Sequence, residues 1–228
     1  MKFPLFSLLV TATFAASSLA ATSDSAEPGA ILQLDDYLVE TNPATFDQKA
    51  PAVTQQVLGS DLKELNLATT VGALRNLPNL FIRERFIGDK NSPVGIRGTS
   101  NRQTGRTVVL ADGVLLSNFL GTGFGNSPRW FLIAPEEIEK AAVIYGPFSA
   151  LYPGNSIGGT VLFTTKMPTP PEAEVKGQYF FHNFKEFGTN DDLHGSTAFA
   201  SIGGSAGKLS YYGFYNHLDN LSAPTQFW

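Results

Sequence analysis

The chain has 228 residues, 16 Lys and Arg against 20 Asp and Glu, a net charge of −4 and no cysteine. That length allows one domain and part of a second. The mild negative charge excludes a nucleic-acid binder driven by bulk charge, and the absent thiols exclude disulfides, zinc–thiolate sites and a cysteine nucleophile.

The first element is an export signal. Lys2 gives a positive start, Phe3 to Ala16 is apolar or small throughout, and Ser18-Leu19-Ala20 has the small residues of a cleavage site, so residues 1–20 are expected to be removed. The apolar stretch is shorter than the ~20 residues of a spanning helix, and no later stretch is longer. Any membrane crossing must therefore use strands. Residues 21–45 form a polar tail with Asp24, Glu27, Asp35, Asp36 and Glu40. Within it, Ile31 to Leu34 and Tyr37 to Val39 form a strand-like island, suited either to strand addition on a partner sheet or to a plain linker or edge strand.

Residues 46–167 change to compact character. Ala52 to Leu58 predicts a strand. Thr69 or Thr70 is placed to cap a short helix whose Val71, Leu74 and Leu77 share a face, stopped by Pro78. Strands are expected at Leu80 to Arg83 and Val94 to Arg97. Thr107 to Ala111, Asp112-Gly113 and Val114-Leu115 spell a hairpin, because Asp-Gly accepts the positive φ of a tight turn. Pro135-Glu136-Glu137 starts a short helix, with carboxylates at its positive end. Ala141 to Tyr145 and Thr160 to Thr165 are the last strands of this α+β unit.

Met167-Pro168-Thr169-Pro170-Pro171 breaks the pattern and opens a last region, residues 168–228. Ala173 to Glu186, Leu193 to Gly203 and Lys208 to Leu218 are long enough for tilted transmembrane strands. A turn at Ser205-Ala206 would pair Leu193 with Leu218, Thr197 with Phe214 and Phe199 with Tyr212 on a face apolar enough for lipid. His194/His217, Ser196/Tyr215 and Ala200/Tyr211 would then face a lumen, with His182 on the lumenal face of Glu174, Lys176 and Gln178. A soluble β-meander is the alternative for these strands.

Several short motifs recur in a fixed order: Leu74-Arg75-Asn76-Leu77-Pro78-Asn79-Leu80, Ile96-Arg97-Gly98, Leu110 to Val114, Glu139 to Val143 followed by Gly146-Pro147 and Ser149 to Tyr152, Ile157 to Val161, and Thr165-Lys166. In this order, behind a signal peptide, the chain resembles a TonB-dependent outer-membrane receptor. The resemblance covers the plug, roughly Ile31 to Thr165, and continues into the first barrel strands. Asn79 stands where the family usually has glycine, a mild departure because Asn also tolerates the left-handed region.

The resemblance implies an α+β plug domain, a small mixed sheet with short helices, followed by antiparallel strands that begin a transmembrane β-barrel. It implies uptake of a scarce small-molecule ligand such as an iron chelate. The TonB box would be Leu34, Asp35, Asp36, Tyr37, Leu38, Val39, Glu40 and Thr41, captured by the periplasmic protein TonB. Arg97 would latch the plug to carboxylates of the barrel wall or, within this chain, to Glu136, Glu137 or Glu139; an exposed surface arginine is the plainer alternative. Ligand-facing loops would carry Arg85, Arg102, Gln103, Phe119, Phe124, Arg129 and Trp130, unless those loops simply pack against the wall. Gly121 to Gly125 lacks the lysine and the strand–loop–helix frame of a phosphate loop. No cofactor, metal site, nucleic-acid partner or catalytic constellation is expected.

Such barrels need about 22 strands, whereas only three follow the plug here. The chain is therefore expected to be the front of a longer receptor in contact with outer-membrane lipid, with Trp228 a truncation point. A stand-alone periplasmic binding module built on the plug is the alternative.

Overall fold

The computed structural model describes residues 53–99, 105–121, 123–146, 152 and 154–221. The expected signal peptide, the tail with the expected TonB-box residues 34–41, Arg102, Gln103 and the side chain of Phe124 lie outside that description. In chain order the described elements are β1 (Val53–Leu58), α1 (Gly59–Glu64), β2 (Leu80–Ile82), β3 (Val94–Ile96), β4 (Thr107–Ala111), β5 (Val114–Leu115), β6 (Ile138–Tyr145), β7 (Gly159–Thr165), β8 (Glu172–Glu186), β9 (Thr189–Ala206) and β10 (Leu209–Asn220), with short 3₁₀ turns between β1 and β6.

Five strands form one mixed sheet in the order β1-β6-β7-β4-β5. All neighbours are antiparallel except β4 and β7. Its central strands are buried on both faces. Val109, Ala111, Ala141, Val143, Val161 and Phe163 pack against Leu62, Val71, Leu74 and Leu77. Val108, Leu110, Ala142, Ile144 and Leu162 pack against Tyr152 and Phe119 on the other side. Two-sided burial explains why β4 and β6 read as continuous apolar runs rather than alternating ones.

Three positive-φ positions fix the places that the motifs marked. Asp112 and Gly113, at φ 47° and 79°, make the tight turn between β4 and β5. At Gly159, with φ 148°, a Cβ would stand 2.3 Å from the Ile144 carbonyl oxygen, so this close crossing of β6 and β7 admits only glycine.

The threonines do not cap a helix. Residues Thr70–Leu74 form a 3₁₀ turn with no side-chain cap. Thr69 Oγ1 donates to Glu84 Oε1 at 3.4 Å, and Thr70 Oγ1 donates to the Ile133 carbonyl. Tertiary acceptors have taken both hydroxyls. Helix α1 had no counterpart in the expected elements. Its six residues are too few for a periodic signal, and it is held by buried Leu62 and the close approach of Gly59 to β6.

Strands β8, β9 and β10 are 15, 18 and 12 residues long and form a separate antiparallel sheet. The turn between β9 and β10 is Gly207-Lys208, not Ser205-Ala206. Ala206 pairs with Leu209, and Gly207 adopts the positive φ of 63° that a two-residue hairpin needs. Thr197 therefore faces Leu218, Ser201 faces Phe214, and His217 faces Ala198 rather than His194.

On β9 and β10 the two faces are also the reverse of the expected assignment, whereas on β8 Glu174, Lys176, Gln178 and His182 lie on the inner face as expected. The face carrying Phe199, Thr197, Phe214 and Leu218 turns toward the first sheet, and Phe199 is only 3% exposed. The opposite face bears Val175, Tyr179, Phe181, Ile202, Leu209, Tyr211 and Tyr215, with Val175 85% exposed. Between them it carries Gly177, Ala198, Ala200 and Gly213. On β9 and β10 the inner face carries Phe199, Phe214 and Leu218 because it packs on protein, while on β8 the same face carries Glu174, Lys176 and Gln178. His182 lies on that inner face, whereas His194 and His217 point outward, stacked on Tyr179 and Tyr215. No histidine row forms.

Candidate functional site

The site with the most built geometry is the junction between the compact unit and the three long strands. Inward-facing side chains of β8 alternate Glu174, Lys176 and Gln178, and each reaches across. Lys176 Nζ lies 2.9 Å from Glu136 Oε1, and Glu174 Oε2 lies 3.4 Å from Lys166 Nζ. Gln178 Nε2 donates to the Asn66 carbonyl at 3.0 Å. On β10, Asn220 Nδ2 donates to the Ile87 carbonyl at 2.8 Å. These residues were not among the expected site residues. Three polar side chains at every second position of an aromatic strand were the available signal.

Beneath these bridges lies Glu137, a buried carboxylate on the turn that starts β6. Its Oε2 accepts the Ala134 N–H at 2.6 Å. Burial pushes its pKa up to about 7; the neighbouring charges of Glu136 and Asp112 add to the rise, while the Ala134 N–H and Lys166 oppose it. Asp112 is itself held by Thr165, whose backbone N–H donates to Oδ1 at 3.0 Å and whose hydroxyl donates to Oδ2 at 2.5 Å.

The loop between β2 and β3 is stapled internally. Arg85 donates two side-chain N–H bonds to Asp89, each 2.8 Å, and the backbone N–H groups of Arg85 and Asn91 also point at that carboxylate. Burial alone would raise the Asp89 pKa, but these bonds outweigh it and hold the carboxyl below its usual range. Nearby Glu84 goes the other way. Its burial outweighs the attraction of the exposed Arg75 partner 2.5 Å away, and its pKa is raised.

The expected ligand-facing residues divide. Arg129 is exposed. Arg85 is half-buried in its bond to Asp89 with its guanidinium 5.7 Å from the Phe86 ring centre. Trp130 is not available at the surface. It is buried, its Nε1 donates to the Ser92 carbonyl at 2.8 Å, and its ring meets Phe163 edge-on. Phe119 is half-buried against the second core cluster. A cavity of about 510 Å³ lies beside this loop, between Phe86, Lys90 and Phe131 on one side and Asn216, Leu218 and Asn220 of β10 on the other.

Arg97 is exposed in the left-handed region at φ 52°. Its guanidinium stands 5.5 Å from the centre of the Tyr145 ring, and among the described residues it forms no ion pair with Glu136, Glu137 or Glu139. The bridge to Glu136 comes instead from Lys176.

Residues 47–160 match the family described as TonB-dependent receptor plug domain. The chain belongs to that family. The described sheet β1-β6-β7-β4-β5 is accordingly the plug sheet, and β8 to β10 are the start of the barrel wall. Among curated proteins, the vitamin B12 transporter BtuB of Vibrio vulnificus is 29% identical over 175 residues, which is 75% of this chain and 26% of that protein. The siderophore receptor PirA of Acinetobacter baumannii superposes with a TM-score of 0.55 at 21% identity, covering 72% of this chain and 24% of PirA. The ferric enterobactin receptor PfeA of Pseudomonas aeruginosa, in complex with enterobactin, gives 0.58 at 18% identity over 75% and 25% of the two chains. The ferric citrate transporter FecA, unliganded, gives 0.59 at 21% identity over 74% and 25%. At these identities the superpositions speak for the fold. The chain spans about a quarter of the length of the relatives it matches.

Proposed function

We propose that this plug and its wall strands form the front of an outer-membrane receptor that takes up a scarce chelate such as a ferric siderophore. The observation that carries the reading is the bridge between plug and wall: Lys176 of β8 reaches Glu136 across the junction, so the strands are built to surround the plug. Their outward face, with Val175, Phe181, Ile202 and Leu209, suits lipid, which counts against a plug standing free in the periplasm. In this reading the plug closes the barrel and TonB captures Leu34 to Thr41 as an added strand. Arg129 and the Arg85–Asp89 loop face the incoming ligand, and Arg97 approaches a wall carboxylate beyond these three strands.

The test is uptake of radiolabelled ferric chelates by cells carrying the receptor, with and without TonB. Energy-dependent accumulation that disappears when Leu38→Pro is introduced supports the reading. Accumulation that is indifferent to TonB and to Leu38→Pro overturns it.

A further inference from the structure

The joint between plug and β8 holds more acid than base. Glu137 is 4% exposed at its centre. Facing or neighbouring it are Glu136 on the same turn, Asp112 at the β4–β5 turn and Lys166 after β7. Across the joint stand Glu172, Glu174 and Lys176 of β8 and Tyr212 of β10. Lys63 of α1, with Glu136, Glu174 and Lys176, lines a cavity of about 180 Å³ whose remaining wall is Leu62, Leu67 and Pro135. Lys176 is matched to Glu136, Lys166 to Glu174, and Asp112 to Thr165. Glu137 has the Ala134 N–H but no ion-pair partner among the described residues.

We propose that Glu137 makes the plug-to-wall joint a proton-operated clasp. While Glu137 carries a proton, the two lysine bridges balance and the plug base sits firmly on β8. Once it ionises, a further buried carboxylate repels Glu136 and Asp112 and competes for Lys166, and the joint loosens. The chemistry is a single proton exchanged with solvent, with no other reactant. Glu137 keeps its proton to about pH 7, against 4.5 for an unperturbed glutamate. The folded joint thus holds more protons than the open one between those values, so its stability is greatest at the acid end and declines as pH rises toward 7. Above that the dependence levels off.

The inference rests on the plug-in-barrel reading, but its test uses no ligand and no TonB, so the two can fail separately. The experiment is hydrogen exchange by mass spectrometry on the receptor in detergent from pH 5 to 8.5, corrected for intrinsic exchange. The segments compared are 135–138 and 172–178, with 107–111 as the internal control. In the unsubstituted receptor, protection of the two junction segments should fall with rising pH, by at most about tenfold per unit, and flatten near 7. Glu137→Gln should remove the step and leave protection high at every pH. A flat profile in the unsubstituted receptor overturns the proposal even if the variant does not fold. A step that persists in Glu137→Gln overturns it as well.

Discussion

Lys176 Nζ, on the first wall strand, stands 2.9 Å from Glu136 Oε1 on the turn that leads into β6 of the plug. The Glu136 side chain is 7% exposed and the Lys176 side chain 28%, so the carboxylate bears most of the desolvation. Lys176→Met should leave Glu136 buried without its cation and destabilise the joint by about 1–3 kcal/mol. The double variant with Glu136→Gln should cost less than the two single changes together. Denaturant unfolding of the four proteins measures that coupling, and strict additivity would remove the bridge from the account.

Gly159→Ala should be among the most damaging small changes in the plug. The added Cβ would lie 2.3 Å from the Ile144 carbonyl oxygen and 2.9 Å from Ile96 Cδ1, at a φ of 148°. Neither β6 nor β7 can retreat, since both are central strands of the sheet. The expected cost is about 1–3 kcal/mol or more, read as lost resistance of the plug to protease. Wild-type resistance would show that β6 and β7 do not cross so closely.

At Arg97 the backbone and the side chain pull in different directions. The residue sits at φ 52°, which disfavours any side chain, while its guanidinium lies over Tyr145. Both Arg97→Gly and Arg97→Ala lose that contact, but only the alanine keeps the strain. Arg97→Gly should therefore be more stable than Arg97→Ala by about 1 kcal/mol. Equal melting temperatures would contradict the left-handed assignment.

Trp130→Phe separates packing from ligand contact. It removes the bond to the Ser92 carbonyl and should cost about 1 kcal/mol of stability. Ligand affinity should stay unchanged, because the ring is buried. Arg129→Ala is expected to do the opposite, lowering affinity with little effect on stability. Isothermal titration and thermal melting of both variants decide between the roles.

Asp89 supplies an acid-side prediction. Its pKa is lowered, so its contribution is present above the unfolded value near 3.8 and is lost as pH falls through the folded value below it. Asp89→Asn should weaken the β2–β3 loop at neutral pH by about 1–3 kcal/mol and blunt its loss on acidification. Exchange protection of residues 85–92 between pH 2 and 7 reports both.

Much of the plug was legible because its turns depend on few residues. Asp112-Gly113 and the Gly158-Gly159 pair did structurally what their chemistry demands, and Asn79 does take a positive φ, 55°, in place of the usual glycine. The wall strands were located but misread. Strand length and period survive in the sequence; the sign of the alternation is legible on β8, where Glu174, Lys176 and Gln178 face inward, but not on β9 and β10. Phe199 and Leu218 are apolar because they press on the plug, and the outward face mixes large residues with Gly177, Ala198 and Gly213. The register slipped because Ser205-Ala206 looked like a break, while the conformation is set by Gly207. The junction residues went unnoticed because a bridge such as Lys176–Glu136 spans 40 positions and leaves no local trace.

Strand β1 sits at the border of the plug sheet and pairs with β6 alone. Among the described strands, losing β1 would break its pairing with β6 and no other pairing of the sheet. What remains, β6-β7-β4-β5, keeps its two packed faces and its bridges to the wall. The sheet thus has a weakly held margin there: β1 is held by a single neighbour, whereas β6, β7 and β4 are each held by two.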